Sequence, residues 1–356
     1  MRNFRGGMMK FDLKIVLKGI LVALCIFFAI LLAARFMDRI FFRPESVFSR
    51  TVKGFEEQKD QIQILFMGQS DMKYAIVPKA MPYKSYNFAD LGENYIGTYL
   101  KLKYHIDRMP RLKIIVLGLS LPNFSSTRMN WIERRNFSLS NYFSYGYITP
   151  QDFKELYKRK GFIVVGQKIS SFSPLLDRAQ LKFFQKNIKK WVRNEPIHKT
   201  VIEDGYIRVL GSAVIEGLAE RRVHTHFDEN NKDDFDKDLL SYFEKILILC
   251  HQRGIKVVTL MIPATDYYLK YAEKYMTKAA LYEKVLTNPK FSPYIYKHLD
   301  YLNLYVKDHT LFVDADHLNH KGATVFSERI ASELSRVMEQ IQKNSVTFKE
   351  NKSGDT

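Results

Sequence analysis

The chain has 356 residues, which is enough for one large domain or two small ones. A hydrophobic content of 46% and an aromatic content of 14% exclude an intrinsically disordered protein. The two cysteines, Cys25 and Cys250, are too distant in the sequence to indicate a disulfide framework or a cysteine-based metal site. The net charge of +17 favours an anionic partner.

The first element is an apolar segment of 20 residues from Ile15 to Ala34, interrupted by one charge, Lys18. At about 1.5 Å per residue it spans roughly 30 Å, the thickness of the hydrocarbon core of a bilayer. Basic residues upstream favour a cytoplasmic N-terminus. We expect residues 1–43 to be a cytoplasmic N-terminus plus anchor of a single-pass cytoplasmic-membrane protein, with the C-terminal domain extracytoplasmic. A cleaved signal peptide ending near Ala34 is the alternative.

An exported domain changes what the positive charge means. Nucleic acid is the usual partner of so basic a chain, but it is not expected outside the membrane. Anionic lipid headgroups or acidic wall polymers are therefore the predicted partners. Charge that serves only solubility is the alternative.

A serine follows the first predicted strand, Ile62–Met67, after a polar linker at residues 44–60. The strand is apolar on both faces, as in a parallel sheet, and ends at Gly68. Ser70 then precedes a short predicted helix, Asp71–Ile76. Side chains at the carboxyl ends of such strands line the ligand crevice of open α/β sheets. A serine that only caps the helix is the alternative.

The later segments alternate between strand and helix patterns, which predicts an α/β fold: a three-layer sandwich around a mainly parallel sheet. We expect this domain at 61–342, a largely helical insertion at 120–235, and a disordered tail at 343–356. The predicted elements are strand Ser85–Ala89, helix Asn94–Met109, strand Leu112–Leu117, helices Gln151–Arg159, Leu175–Val192 and Asp234–Arg253, strand Ile255–Ile262, helix Tyr267–Val285, strand Leu311–Val313 and helix Asn319–Gln342.

Asp314 and His317 stand three residues apart, directly before the last predicted helix. A carboxylate that orients an imidazole, and an imidazole that accepts a hydroxyl proton, are what a serine nucleophile requires. The strand and loop arrangement predicts that both lie at the same edge of the sheet as Ser70. The three residues are therefore candidates for a catalytic triad.

The pattern Gly68-x-Ser70, together with Asp314-x-x-His317-x-Asn319-x-x-Gly322, resembles the SGNH (GDSL-type) hydrolase superfamily over about residues 60–340, with the insertion unmatched. The resemblance implies Ser70 as nucleophile, His317 as general base and Asp314 as its orienting carboxylate. It also implies an oxyanion hole formed by the N–H groups of Ser70 and Gly92.

Two positions depart from the family pattern. Gln69 replaces the usual aspartate, and the third block, Gly118-Leu119-Ser120-Leu121, lacks the usual asparagine. Ser120 or Asn123 is then the candidate third donor of the oxyanion hole. A missing donor of this kind costs roughly 3 kcal/mol of transition-state stabilisation.

The single N-terminal span makes the chain similar to the membrane-anchored branch that includes DltD and AlgJ/AlgX-like proteins. This resemblance implies O-acyltransfer, of the O-acetylation type, onto a cell-surface polysaccharide or wall polymer, beside a membrane-bound O-acyltransferase. The alternatives are a carbohydrate esterase or deacetylase of the same fold, and a non-catalytic polysaccharide-binding or scaffold partner. No cofactor and no metal are expected for this chemistry.

Other polar residues have weaker signals. Asp266, Tyr267 and Tyr268 follow a strand and are predicted to line the substrate site, with a helix cap and packed aromatic residues as the alternative. His224, His226 and Asp228 alternate as strand residues do, which would suit a metal, but such spacing is common by chance. Three further residues are expected to have ordinary roles: Asp71 and Asp316 as solvated loop charges, and Asn319 as a helix cap.

Overall fold

The computed structural model describes residues 13–133, 139–176, 178–195, 200–228, 230 and 232–353. In chain order the strands are β1 (Ile64–Met67), β2 (Ser85–Asn87), β3 (Ile114–Gly118), β4 (Val201–Glu203), β5 (Tyr206–Arg208), β6 (Lys256–Met261) and β7 (Ile295–Asp300). Five of them form one parallel sheet in the order β2-β1-β3-β6-β7, and β4 and β5 form a separate antiparallel pair. The predicted mixed α/β class with a parallel sheet is confirmed.

Helices precede, link and follow these strands. They are α1 (Leu13–Met37), α2 (Val47–Glu56), α3 (Ser70–Ala75), α4 (Tyr95–His105), α5 (Ser126–Glu133), α6 (Leu139–Ser144), α7 (Pro150–Lys160), α8 (Phe162–Ser170), α9 (Arg178–Val192), α10 (Glu216–His226), α11 (Lys237–Gln252), α12 (Asp266–Ala272), α13 (Lys278–Leu281) and α14 (His320–Ser353).

Helices cover both faces of the sheet because its strands are apolar on both sides. In β1, Leu65 and Met67 pack in the same core as α4 and α11, whereas Ile64 and Phe66 pack in the core of α3 and α14. All four residues of β1 are buried. The carboxyl end of β1 therefore opens between two well-packed helical layers.

The last strand of the sheet is β7, which the sequence pattern does not predict. Most of its residues are only partly buried, and Lys297 and His298 interrupt any apolar run, as suits an edge strand. The predicted strand Leu311–Val313 is wrong, because only Phe312 pairs there, in an isolated bridge with Leu318. That bridge closes a tight loop instead of adding a strand to the sheet.

The predicted linker at 44–60 is largely helical. Helix α2 buries Phe48, Val52 and Phe55, which recur every three or four residues and so lie on one face. The hydroxyl of Ser46 accepts the N–H of Ser49 and caps the helix. The segment after the apolar helix is thus fixed to the domain core and is not a free spacer.

The predicted disordered tail at 343–356 also differs from the structure. Helix α14 continues to Ser353, and 354–356 lie outside the described residues. The chain has no glycine or proline between Gly322 and Gly354. Each residue added to the helix therefore contributes one further backbone hydrogen bond.

Helix α1 is long and apolar enough to cross a membrane. Its 25 residues correspond to roughly 37 Å. Most of its apolar side chains are exposed, and only Leu31 and Ala34 are buried. Such all-round exposure of apolar surface is untypical of a helix in water.

The insertion adds six helices, α5 to α10, and the β4–β5 hairpin between β3 and α11. The hairpin reaches the sheet, because the N–H of Asn87 in β2 donates to the carbonyl of Asp204 at 2.9 Å. A side chain on Gly205 would overlap the Asn87 carbonyl, so this approach requires glycine.

Replacing Gly322 by alanine should destabilise the domain by about 1–3 kcal/mol, because the new Cβ would overlap the carbonyl oxygen of Leu311. Denaturant unfolding followed by circular dichroism measures the change. Gly217→Ala in α10 is the control, since no heavy atom lies within 4 Å of its added Cβ. The control should be unchanged or slightly stabilised, and an equal loss in both variants would contradict the packing argument.

Candidate active site

Ser70 lies where β1 leaves the sheet and α3 begins. Gly68 makes the turn with φ +147, and a Cβ there would approach Met72 Cγ to 3.0 Å. Helix α3 is held by α14, because Ser327 Oγ accepts the N–H of Val77 at 2.9 Å and donates to the carbonyl of Ala75 at 3.2 Å. The position of Ser70 is therefore set by backbone and buried side chains.

His317 contacts Ser70, as the sequence predicts. The distance between Ser70 Oγ and His317 Nε2 is 2.8 Å, although the residues are 247 positions apart. On the other side of the ring, Nδ1 lies 2.9 Å from both carboxylate oxygens of Asp314. A carboxylate only accepts, so Nδ1 carries the hydrogen and Nε2 is left to accept the Ser70 proton. The geometry is that of a serine–histidine–aspartate triad.

The loop that carries Asp314 and His317 is folded by its own hydrogen bonds. Asp314 Oδ1 accepts the N–H groups of Asp316 and His317 at 3.1 and 3.0 Å. The Val313 N–H donates to the His317 carbonyl at 2.9 Å. Asn319 ends the loop, and its side-chain oxygen accepts the N–H of Gly322 at 3.0 Å, which confirms the predicted cap.

The Asp316 side chain is only 12% exposed and pairs with Arg222, so its prediction as a solvated loop charge is wrong. Arg222 of α10 donates from Nε to both Asp316 oxygens, at 3.0 and 3.3 Å. The Nη2 atom of the same arginine lies 3.3 Å from His317 Nε2. The insertion thus delivers a cation next to the nitrogen that contacts Ser70, an arrangement that the sequence alone did not reveal.

Three charges set the proton affinity of His317. Burial alone lowers its pKa, but Asp316 and Asp314 outweigh the burial and raise the pKa above its usual value, while Arg222 opposes them. For Asp314, burial raises the pKa, and its hydrogen bond to His317 and the nearby cations reverse the sign to a net lowering. Asp314 is therefore ionised at neutral pH and stabilises a protonated imidazole.

Asp71 is also buried, which contradicts its prediction as a solvated loop charge. Its Oδ1 accepts the N–H of Met72 at 2.7 Å, and burial raises its pKa. With Arg128, Tyr268 and Asp316 it lines a small cavity behind Ser70.

An open cleft lies on the other side of Ser70. The residues that line it are Ser70, Tyr74, Leu91, Gly92, Val209, Arg222, Val313, Asp314 and His317. The Tyr74 ring stands edge-on to the imidazole of His317, with centroids 4.9 Å apart. The nucleophile and base candidates are therefore accessible from solvent through this cleft.

Two of the predicted oxyanion donors line the cleft. Within the described part of the chain, no acceptor takes the backbone N–H of Ser70 or of Gly92. Gly92 adopts φ +69, a left-handed conformation that suits glycine. Both groups remain available to a developing negative charge.

Ser120 is placed differently from its predicted role. Its hydroxyl accepts from Gln69 Nε2 at 2.6 Å and donates to Asn123 Oδ1, which also accepts the Ser120 N–H at 2.5 Å. The hydroxyl hydrogen of Ser120 is therefore used in the hydrogen bond to Asn123. Gln69 thus takes part in positioning the third block, and Ser120 lines the small cavity instead of the open cleft.

Asp266 and Tyr267 do not line either cavity that contains Ser70. The Asp266 carboxylate lies 2.7 Å from His309 Nε2, and the Tyr267 ring packs on the same histidine with centroids 4.7 Å apart. Of the three predicted residues, Tyr268 lines the small cavity beside Ser70. Its hydroxyl contacts His226 Nδ1 at 2.7 Å.

The histidines of α10 do not form the alternating set that would suit a metal. His224 and His226 lie on a helix and not on a strand, so two residues apart they point in different directions. A tighter acidic group, Asp314, Asp316 and His317, has ligand atoms within 4.8 Å of one another. The guanidinium of Arg222 already neutralises Asp316 there, which suits an ion pair better than a cation site.

No family model matches the chain, and no curated protein matches it.

The opposing effects of Asp316 and Arg222 predict opposite pH shifts. His317 must be neutral to accept the proton of Ser70, so the rate of Ser70 modification should rise as pH rises through the pKa of His317. Asp316→Asn should move the midpoint to lower pH and Arg222→Gln should move it to higher pH. The measurement is the pH profile of labelling by a serine-reactive fluorophosphonate.

Arg221→Gln is the matched control for this experiment, because Arg221 is the exposed neighbour of Arg222 and contacts only the carbonyl of Gly217. Its profile should equal that of the unmodified chain. Shifts in the same direction for Asp316→Asn and Arg222→Gln would contradict the proposed balance of charges.

Proposed function

We propose that this chain is a membrane-anchored acyl-ester enzyme of the SGNH type, which acts outside the cytoplasmic membrane and transfers an acyl group to a cell-surface polysaccharide or wall polymer. The observation that carries the proposal is the continuous hydrogen-bonded series from Ser70 Oγ through the imidazole of His317 to Asp314. Helix α1 supports the anchor, and the net charge of +17 suits an acidic polymer.

The reaction would proceed in two steps. Ser70 Oγ attacks the carbonyl carbon of the acyl donor while His317 Nε2 takes the hydroxyl proton, and Asp314 stabilises the resulting imidazolium. The N–H groups of Ser70 and Gly92 bind the oxyanion, which collapses as His317 returns the proton to the leaving oxygen. An acceptor hydroxyl then loses its proton to His317 and attacks the acyl-serine, and His317 returns that proton to Ser70 Oγ as the product ester leaves.

The identity of the acceptor separates transfer from hydrolysis. A sugar hydroxyl gives the proposed O-acyltransferase, whereas water gives a carbohydrate esterase of the same fold. The open cleft beside Ser70 suits a polymer chain, which needs access from solvent along its length. A membrane-bound O-acyltransferase is the proposed source of the acyl group, because α1 would place the domain beside such a partner.

Incubation of the detergent-solubilised chain with p-nitrophenyl acetate should release p-nitrophenol and leave an acetyl group on Ser70, detected by peptide mass spectrometry. Ser70→Ala and His317→Ala should each lower turnover by roughly 10⁴-fold or more, because each removes an essential part of the triad. Ser332→Ala, at an exposed serine of α14, is the control and should retain full turnover.

Two outcomes would contradict the proposal. Equal turnover by Ser70→Ala and the unmodified chain would exclude Ser70 as nucleophile. Binding of an acidic polysaccharide without any acyl-serine, unchanged by Ser70→Ala and His317→Ala, would favour the non-catalytic scaffold. Transfer itself is measured by ester formation on polygalacturonate in competition with water, and exclusive acetate release would indicate an esterase.

A further inference from the structure

The insertion packs directly on the apolar helix α1. Phe172, in the loop between α8 and α9, places its ring 5.9 Å from the ring of Phe28. Arg35 Nη1 donates to the Phe172 carbonyl at 3.1 Å, and its guanidinium lies 4.6 Å from the centre of the Phe172 ring. The loop therefore covers α1 over about two turns, from Phe28 to Arg35.

The contact between Phe172 and Phe28 lies too close to the start of α1 to be above a membrane, whereas Arg35 lies at the outer limit of the apolar run. The apolar run begins at Ile15, so only 14 residues reach Phe28, or about 21 Å of helix. The hydrocarbon core is about 30 Å thick and needs about 20 residues. If α1 spans the bilayer, the outer limit of the hydrocarbon core is therefore roughly 9 Å beyond the level of Phe28, where the Phe172 ring contacts the helix.

Helix α9 continues this contact towards the end of α1. Phe184 packs edge-on against Phe42 with centroids 5.3 Å apart, and Ile188 and Leu175 pack in the same small cluster as Ala34. One side of α9 is therefore fixed to the segment that follows α1, and the cluster is separate from the two cores that enclose the sheet.

The other side of α9 has the composition of a membrane interface. Its exposed positions include Lys182, Lys186 and Lys189. Trp191 lies on the opposite face from these lysines, seven residues after Phe184, where it is 51% exposed and 5.9 Å from the ring of Phe41. Tryptophan and lysine beside apolar surface are typical of helices at the headgroup level, where lysines bind lipid phosphates.

We propose that residues 171–176 enter the acyl region of the outer leaflet and that α9 lies on its anionic headgroups, so that this part of the insertion forms a lipid-bound collar along one side of α1. The inference rests on the membrane anchor of the proposed function and not on its chemistry. The occupant of this surface is lipid, because the covered turns of α1 lie within the span that a bilayer requires and because the lysines complement anionic headgroups.

The collar restricts the catalytic domain. A single helix with a free linker would let the domain rotate and tilt, but here α2 packs in the same core as α4 and α11, and α9 and the 171–176 loop contact α1 and the segment that follows it. The open cleft is then held at one height above the lipid surface. An acceptor polymer would have to pass at that height to reach Ser70.

Quenching by lipids brominated on their acyl chains tests the collar in the full chain reconstituted into vesicles. The sequence has two tryptophans, Trp131 and Trp191. In a background with Trp131→Phe and Trp191→Phe, the Phe172→Trp variant should lose about half of its fluorescence in brominated vesicles. Val325→Trp in the same background is the matched control at an exposed position of α14, and it should lose almost none.

The single variant Trp131→Phe retains Trp191 and tests α9 without altering the loop. Its emission should shift to shorter wavelength and be quenched more when the vesicles contain anionic lipid.

A loss of fluorescence by Phe172→Trp no larger than that by Val325→Trp would overturn the insertion of the loop and leave this face to a membrane-embedded protein. Emission and quenching of Trp191 that do not change when anionic lipid is added would overturn the headgroup contact. Neither signal depends on acyl transfer, so failure here is distinct from failure of the proposed enzyme.

Discussion

The contact between Ser70 and His317 depends on the packing of α3 against α14. The two residues come from opposite ends of the domain, 247 positions apart, and each sits beside a helix end. Ser327 joins those helices through buried hydrogen bonds at both Val77 and Ala75. Because Ser327 is fully buried and satisfied in both directions, a shift of α14 would leave backbone polar groups without partners. The packing of α3 against α14 in the core therefore sets the distance between Ser70 Oγ and His317 Nε2.

A second constraint is electrostatic, and it connects the insertion to the sheet. Asp314 and Asp316 flank the same imidazole, and two carboxylates there would hold the proton too firmly for efficient transfer. Arg222 pairs with Asp316 and moderates that effect. The insertion thus places a cation beside the His317 imidazole.

The elements that can be predicted from the sequence are those with a pattern in a few consecutive residues. The strands β1, β3 and β6 are buried on both faces and read as apolar runs, and the spacing of Asp314 and His317 marks their loop. The sequence does not predict β7, whose polar residues suit an edge, nor the pairing of Arg222 with Asp316 across 94 residues. Such pairs have no local signal, because either charge alone reads as a solvated residue. The sequence also does not reveal that Asp266 pairs with His309 and lies outside the two cavities at Ser70, because His309 is 43 positions away.

The hairpin that contacts β2 has a consequence for solubility. An open parallel sheet has two edges whose free N–H and carbonyl groups can recruit strands from other molecules. At one edge, the Asn87 N–H is already taken by Asp204, and the hairpin blocks further pairing. At the other edge, β7 carries Lys297, bonded to Glu333, and a charged edge resists addition of a foreign strand. Each border of the sheet therefore has a feature that disfavours pairing with a strand of another molecule.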